Sequence, residues 1–290
     1  MNYFQPNDLN SALDVLQNNS DLTIAAGCTD LFPITNNMSL DKNILDITNI
    51  KSIKGFQFNN KETKIGSATT WTDIINENLP SCFDMLKAWA KEVGSIQIQN
   101  LGTIGGNICN ASPAADSIPC LLALDAKLEL SSANNQRIIP VDEFILGSRK
   151  TKLEQGEILT SIIIPKEKEN GSSSFRKIGA RKYLVISISM VACRILISNN
   201  IIKDISISVG SCSEVAKRIF SIERQLIKKD INEDIFNQVD FSQLNEISPI
   251  TDIRSTHVYR LKASKLLIKD VVKDAINKQE IARWIFTKKL

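Results

Sequence analysis

The stretch Gln97-Ile98-Gln99-Asn100-Leu101-Gly102-Thr103-Ile104-Gly105-Gly106-Asn107, resumed after three residues by Ala111-Ser112-Pro113-Ala114-Ala115-Asp116, is where ordinary periodicity stops in this chain. Small residues dominate between 100 and 116, and a loop this long inside a globular chain is expected to be functional. A second segment of small residues, Ala25-Ala26-Gly27-Cys28-Thr29-Asp30-Leu31, follows a strand-like run. Backbone amides in such turns bind anions because several N–H dipoles converge where no side chain blocks approach. Neither segment matches GxGxxG or GxxxxGK[ST], so the Rossmann and nucleotide triphosphatase readings fail at the motif level. Taken singly, each segment is also compatible with a plain tight turn.

Outward from these segments, helix and strand patterns are mixed. Leu9, Ala12, Leu13 and Leu16 fall at helical spacing behind Asn7 and Asp8 as candidate caps. Strands are expected at 22–26, 44–47, 53–58 and 63–67, the last two joined through Asn59-Asn60 as a hairpin. Thr70 is placed to cap a helix from Trp71, and Pro80 to open one reaching about Val93. Strand character returns at 127–130 and 157–164, after which the polar run 165–174 reads as a connection between domains. Beyond it come strands at 175–178, 186–197 and 205–209, then helices near 215–228 and 256–276, a segregated α+β pattern. At 290 residues the chain exceeds the size at which one core usually stops growing, so two or three domains are expected.

Composition removes several function classes. Thirty-five basic against 32 acidic residues leave a net charge of +3, too near balance to argue for nucleic acid or a membrane surface. The longest apolar runs fall short of the roughly 20 residues needed to span a bilayer. Met1-Asn2-Tyr3-Phe4-Gln5-Pro6 has neither a basic nor an apolar signal region, so no signal peptide and a cytoplasmic location are expected. Six cysteines at wide, irregular spacings without a CxxC pair disfavour a zinc site, an iron–sulfur site or a disulfide framework. With His257 the sole histidine, a histidine metal site or a Ser-His-Asp triad lacks material. No catalytic or metal-ligating residue is expected.

Read together with their flanks, the two small-residue segments resemble a known family. The run from Gln97 to Asn107, continued by Ala111 to Asp116, is similar to the FAD-binding signature of the xanthine dehydrogenase and carbon monoxide dehydrogenase flavoproteins. The 25–31 segment resembles that family's AGGTDL turn, and Ile65-Gly66-Ser67-Ala68-Thr69-Thr70 the strand after it. Gly156-Glu157-Ile158-Leu159, Phe175-Arg176-Lys177 with Arg181, and Tyr259-Arg260 also fit in order, so the resemblance spans nearly the whole chain. The chain departs from the pattern at Cys28, where the family has glycine, which puts the backbone conformation there in question.

The resemblance implies an α+β fold: an FAD-binding domain of the PCMH (VAO-like) type over 1–168, made of two α/β subdomains at about 1–55 and 56–168. A smaller α+β domain of the CO dehydrogenase flavoprotein C-terminal type would cover 172–280. It implies that Ile24, Ala25, Ala26, Gly27, Cys28, Thr29, Asp30 and Leu31, with Thr103, Ile104, Gly105, Gly106 and Asn107, hold the FAD diphosphate. Asp116 would hold ribose or adenine-side hydroxyls, although it is also placed to cap a helix from Ser117. Leu159 and Lys177 would touch the flavin, with residues 183–186 near its ring. Trp71 and Trp89 read as core residues. The chain would relay electrons through FAD to NAD from a 2Fe-2S subunit, while a separate molybdenum-cofactor subunit oxidises xanthine or a related purine. Alternatives are a nicotinate, other N-heterocycle or aldehyde dehydrogenase, a self-contained FAD oxidoreductase, and a binding protein that keeps the fold without cofactor.

Overall fold

A computed structural model describes residues 2–32, 42–181, 186–231, 234–237 and 239–287, with side chains described through 281. The chain forms two compact units, one of residues 1–77, 93–112 and 126–164, the other of 78–92, 113–125 and 165–290. Two segments from the first half of the chain, 78–92 and 113–125, pack with residues 165–290 in the second of these units.

The first unit holds two main sheets. Tyr3–Phe4, Asn43–Asp46 and Leu22–Ala25 form a parallel sheet with Asn43–Asp46 in the middle. Helix Leu9–Asn18, capped by the Asp8 carboxylate on the Ser11 N–H at 2.9 Å, buries Ala12, Leu13 and Leu16 in a cluster with Leu45, Ile47 and Ile50. The second sheet runs Phe56–Phe58, Glu62–Gly66, Ile158–Pro165, Lys127–Ser131, Gln136–Pro140. Its central strand Ile158–Pro165 is buried along almost its whole length, as an Ile-rich strand inside a sheet should be. A bulge interrupts its pairing between Leu159 and Ser161, a device that re-aims a side chain.

The second unit is built on the antiparallel sheet Ser172–Ile178, Ser189–Ser198, Ile201–Gly210, Lys217–Arg218. Val191, Cys193 and Ile195 on one face pack with Leu267, Ile268, Val271 and Val272 of the long helix His257–Thr287. Helix Ser117–Ala123 meets the same sheet, where the Ser208 hydroxyl donates to the Pro119 carbonyl. Among the described residues no helix is long and apolar enough to cross a membrane.

The α+β class expected from the sequence is the one observed. Residues 100–116, expected as one irregular loop, are instead largely helical: Ile96–Leu101, then Ile104–Asn110, with Ser117–Ala123 following. The reason is tertiary packing that overrides the low helix propensity of glycine. Strand Gln136–Pro140 gave no sequence signal, because edge pairing and not alternation defines it. The helix expected near 215–228 is confined to Phe220–Leu226, and the last helix runs on to Thr287.

Candidate functional site

The turn at 26–32 leaves the carboxyl end of Leu22–Ala25 in the parallel sheet, the place where open α/β sheets bind ligands. It forms one wall of a cavity of about 490 Å³ lined entirely by residues of the first unit. Among the described residues, the backbone N–H groups of Gly27, Cys28, Thr29, Asp30 and Leu31 donate to no protein acceptor. Five successive N–H groups without an acceptor among the described residues, on residues that line a cavity, are donors available to an anion. Gly27 is required by space, since a Cβ there would stand 1.9 Å from the Leu101 carbonyl oxygen. Cys28 takes φ 55°, which explains why the family pattern has glycine at this position and costs this chain about 1 kcal/mol. Burial and the nearby Asp46 carboxylate push the Cys28 thiol above its ordinary value, so it is no thiolate nucleophile at neutral pH.

The facing wall is helix Ile104–Asn110. Its first-turn amides are already committed. Ile104 N–H donates to the Thr69 carbonyl at 3.0 Å, Gly105 N–H to the Ser67 carbonyl at 2.8 Å, and Asn107 N–H to the Thr103 carbonyl at 3.0 Å. Gly106 N–H donates to the Thr103 hydroxyl, the helix cap, at 3.0 Å. A Cβ on Gly105 would meet the Ser67 side chain and carbonyl at 2.6 and 2.7 Å, so this glycine serves close packing. Ser67 itself lines the cavity, and its hydroxyl is buried without a partner. An orphaned buried hydroxyl beside five open amides fits a polar, anionic ligand.

The structure brings most of the expected site residues together. Ile24 to Leu31, Thr103, Gly105, Gly106, Asn107 and Leu159 all line the cavity. Ile104 does not: it is fully buried, turned into the core by the helix that Thr103 starts. Asp116 and Lys177 lie in the second unit and hold each other at 3.0 Å. Asp116 stands at the cap position before Ser117 without capping the helix; its carboxylate accepts from Lys177, from the Ser187 hydroxyl at 3.0 Å and from Trp89. Burial raises its carboxyl above the ordinary value against the pull of those donors. Of 183–186, all but Ile186 fall outside the described residues, and Ile186 is exposed.

Sequence reasoning missed Ile47, Trp71, Ile98, Asn110, Leu153 and Ile158, which also line the cavity. Asn110 follows Asn107 by three residues and so shares its helix face, a signal available only once that segment is known to be helical. Trp71 is nearly buried, as its core reading expects, yet one side forms part of the wall.

An uncommitted amide run facing a glycine-packed helix, at the carboxyl end of a parallel sheet, defines a protein that binds a phosphate-bearing cofactor. Residues 1–167 match the family described as the FAD binding domain in molybdopterin dehydrogenase, and residues 156–275 the CO dehydrogenase flavoprotein C-terminal domain. The chain belongs to that flavoprotein family, and FAD is its cofactor. It is 29% identical over 274 residues to the glyceraldehyde dehydrogenase medium chain of Sulfolobus acidocaldarius, covering 94% of this chain and 97% of the relative. It is 28% identical over 278 residues to the xanthine dehydrogenase FAD-binding subunit of Escherichia coli, covering 94% and 95%. In fold it superposes on a chain of carbon monoxide dehydrogenase from Hydrogenophaga pseudoflava with a TM-score of 0.86 at 24% identity, covering 96% and 98%.

Proposed function

We propose that this chain is the FAD-binding electron-transfer subunit of a molybdenum hydroxylase, located in the cytoplasm. In this reading it joins a 2Fe-2S subunit and a molybdenum-cofactor subunit in a hetero-oligomer, with NAD as acceptor and xanthine or a related purine as the substrate of the assembly. When bound, FAD supplies the chemistry of taking electrons singly and giving them up as a pair. The chain's own residues bind, orient and exclude water. The N–H groups of 27–31 hold the diphosphate, with the Ser67 hydroxyl as a further donor or acceptor. Gly106 keeps the cavity lining at Ile104–Asn110 free of a side chain, and Gly105 packs that helix on Ser67. Ile98, Ile158 and Leu159 give the cavity a dry apolar side. The roles of Asp116 on ribose or adenine-side hydroxyls and of Lys177 on the flavin rest on the family resemblance alone. The observation that carries the reading is the run of uncommitted amides in a chain whose first 167 residues match an FAD-binding domain.

The test is the visible spectrum of the purified chain before and after incubation with FAD, followed by identification of the flavin released on denaturation. Flavin bands with FAD and not FMN released support the reading. A chain that takes up no FAD even with its partner subunits present overturns it. The similarity to a glyceraldehyde dehydrogenase medium chain, level with that to a xanthine dehydrogenase subunit, favours an aldehyde as the second candidate substrate. Assaying the assembled complex with xanthine, nicotinate and glyceraldehyde separates the three.

A further inference from the structure

Among the described residues that line the cavity, Asp30 is the one charged side chain, and it lies within the run of open amides. A diphosphate carries about two negative charges, and a carboxylate a few ångströms away opposes it through a field that partial exposure screens incompletely. Unanswered, Asp30 would work against the amides on either side of it.

The answer comes from the hairpin made by Ile145–Gly147 and Lys150–Thr151. Arg149, in its turn, has φ 58°, a conformation unfavourable for a side-chain-bearing residue, and its N–H is held by the Ala111 carbonyl at 2.9 Å. Its Nη1 donates to Asp30 Oδ2 at 2.5 Å and also to Asn110 Oδ1. Both acceptors belong to residues that line the cavity. Nε and Nη2 have no acceptor among the described residues. The pair is about half exposed, 48% and 47%, so it contributes little to stability, and its effect falls on what enters the cavity.

We propose that Arg149 is a positioning residue for the cofactor: it neutralises Asp30 and ties that carboxylate to Asn110, so that a dianionic diphosphate can occupy the amide run. This rests on the FAD reading of the cavity. The test is equilibrium titration of FAD into the full-length chain at about 50 and 500 mM salt, with circular dichroism as the check on folding. R149M is expected to weaken FAD about 10-fold or more at low salt and by much less at high salt, because screening removes the repulsion that the substitution exposes. R149K keeps the charge and should stay within about threefold of wild type. D30N should bind FAD at least as tightly as wild type, and D30N/R149M should recover to within about threefold of it. A folded R149M with wild-type affinity, a loss equal at both salts, or a double variant as weak as R149M overturns the proposal. Should R149M fail to fold, D30N decides alone, and weaker binding there overturns it. A wild-type chain that binds no FAD is a separate outcome, which removes the reading of the cavity and this proposal with it.

Discussion

The segments 27–31 and 103–107 both carry glycine, both face one cavity and look alike as strings of small residues. Their backbones are used in opposite ways. In the first, five N–H groups have no acceptor among the described residues; in the second, those of Ile104, Gly105, Gly106 and Asn107 are all bound within the protein. The first segment is therefore a set of donors, and the second a closely packed wall whose glycines remove obstruction. Small residues in a sequence signal that something comes close, and only the partners of the N–H groups say whether it is a ligand or another strand of the same chain.

The largest expected effect that would break this distinction is at Gly27. Gly27→Ala places a Cβ 1.9 Å from a backbone oxygen that cannot swing away, and should cost about 3 kcal/mol or more and abolish FAD retention on purification. A Gly27→Ala chain with wild-type melting temperature and flavin content would show that the turn does not pack as described.

The neighbours Gly105 and Gly106 sharpen it further. Gly105→Ala meets Ser67 Cβ and carbonyl and should lose about 2 kcal/mol in denaturant unfolding, with flavin affinity falling as a consequence. Gly106→Ala meets only the Thr103 hydroxyl, at 2.9 Å, and gains helix propensity in return, so its net change should lie within about 1 kcal/mol of zero. Equal losses at the two would contradict the packing role given to Gly105.

A smaller effect tests the strand behind the cavity. Glu157 precedes Ile158–Pro165 and takes two bonds from Arg137, at 2.6 and 2.8 Å, which hold its carboxyl below the usual 4.5. A depressed carboxyl contributes stability above its unfolded value and loses it as pH falls through the folded one. Glu157→Gln should therefore cost about 1 kcal/mol at pH 7 and converge with wild type below the folded-state value, read from urea unfolding across pH 2–7. A difference that persists unchanged into acid would assign the loss to packing.

The smallest effect is at Cys28. Cys28→Gly removes the side chain from a left-handed residue and should raise stability by about 0.5 to 1 kcal/mol while leaving FAD affinity unchanged. A drop in affinity would mean that the thiol contributes to the cavity beyond its size.

Local sequence fixed much of this structure. Asp8 and Thr70 start their helices as expected, because a cap is decided by a side chain within three residues of the N–H it accepts from. The hairpin at Asn59-Asn60 and the strands at 22–25, 43–46 and 158–165 follow from apolar runs bounded by turn residues. The 26–31 turn stands out in the sequence because its small residues interrupt such a pattern, and the family resemblance of the 97–116 stretch is specific enough to name the cofactor.

Long-range contacts decided the rest. Whether the N–H of Gly105 is a donor for a ligand depends on the carbonyl of Ser67, and that of Ile104 on Thr69, both more than thirty residues away. The pairing of Asp116 with Lys177 spans 61 residues, and that of Asp30 with Arg149 spans 119. Periodicity, caps and turns are properties of neighbours and are written in the sequence by itself. Which polar groups are left open, and which charge answers which, are properties of residues that meet only when the chain is folded.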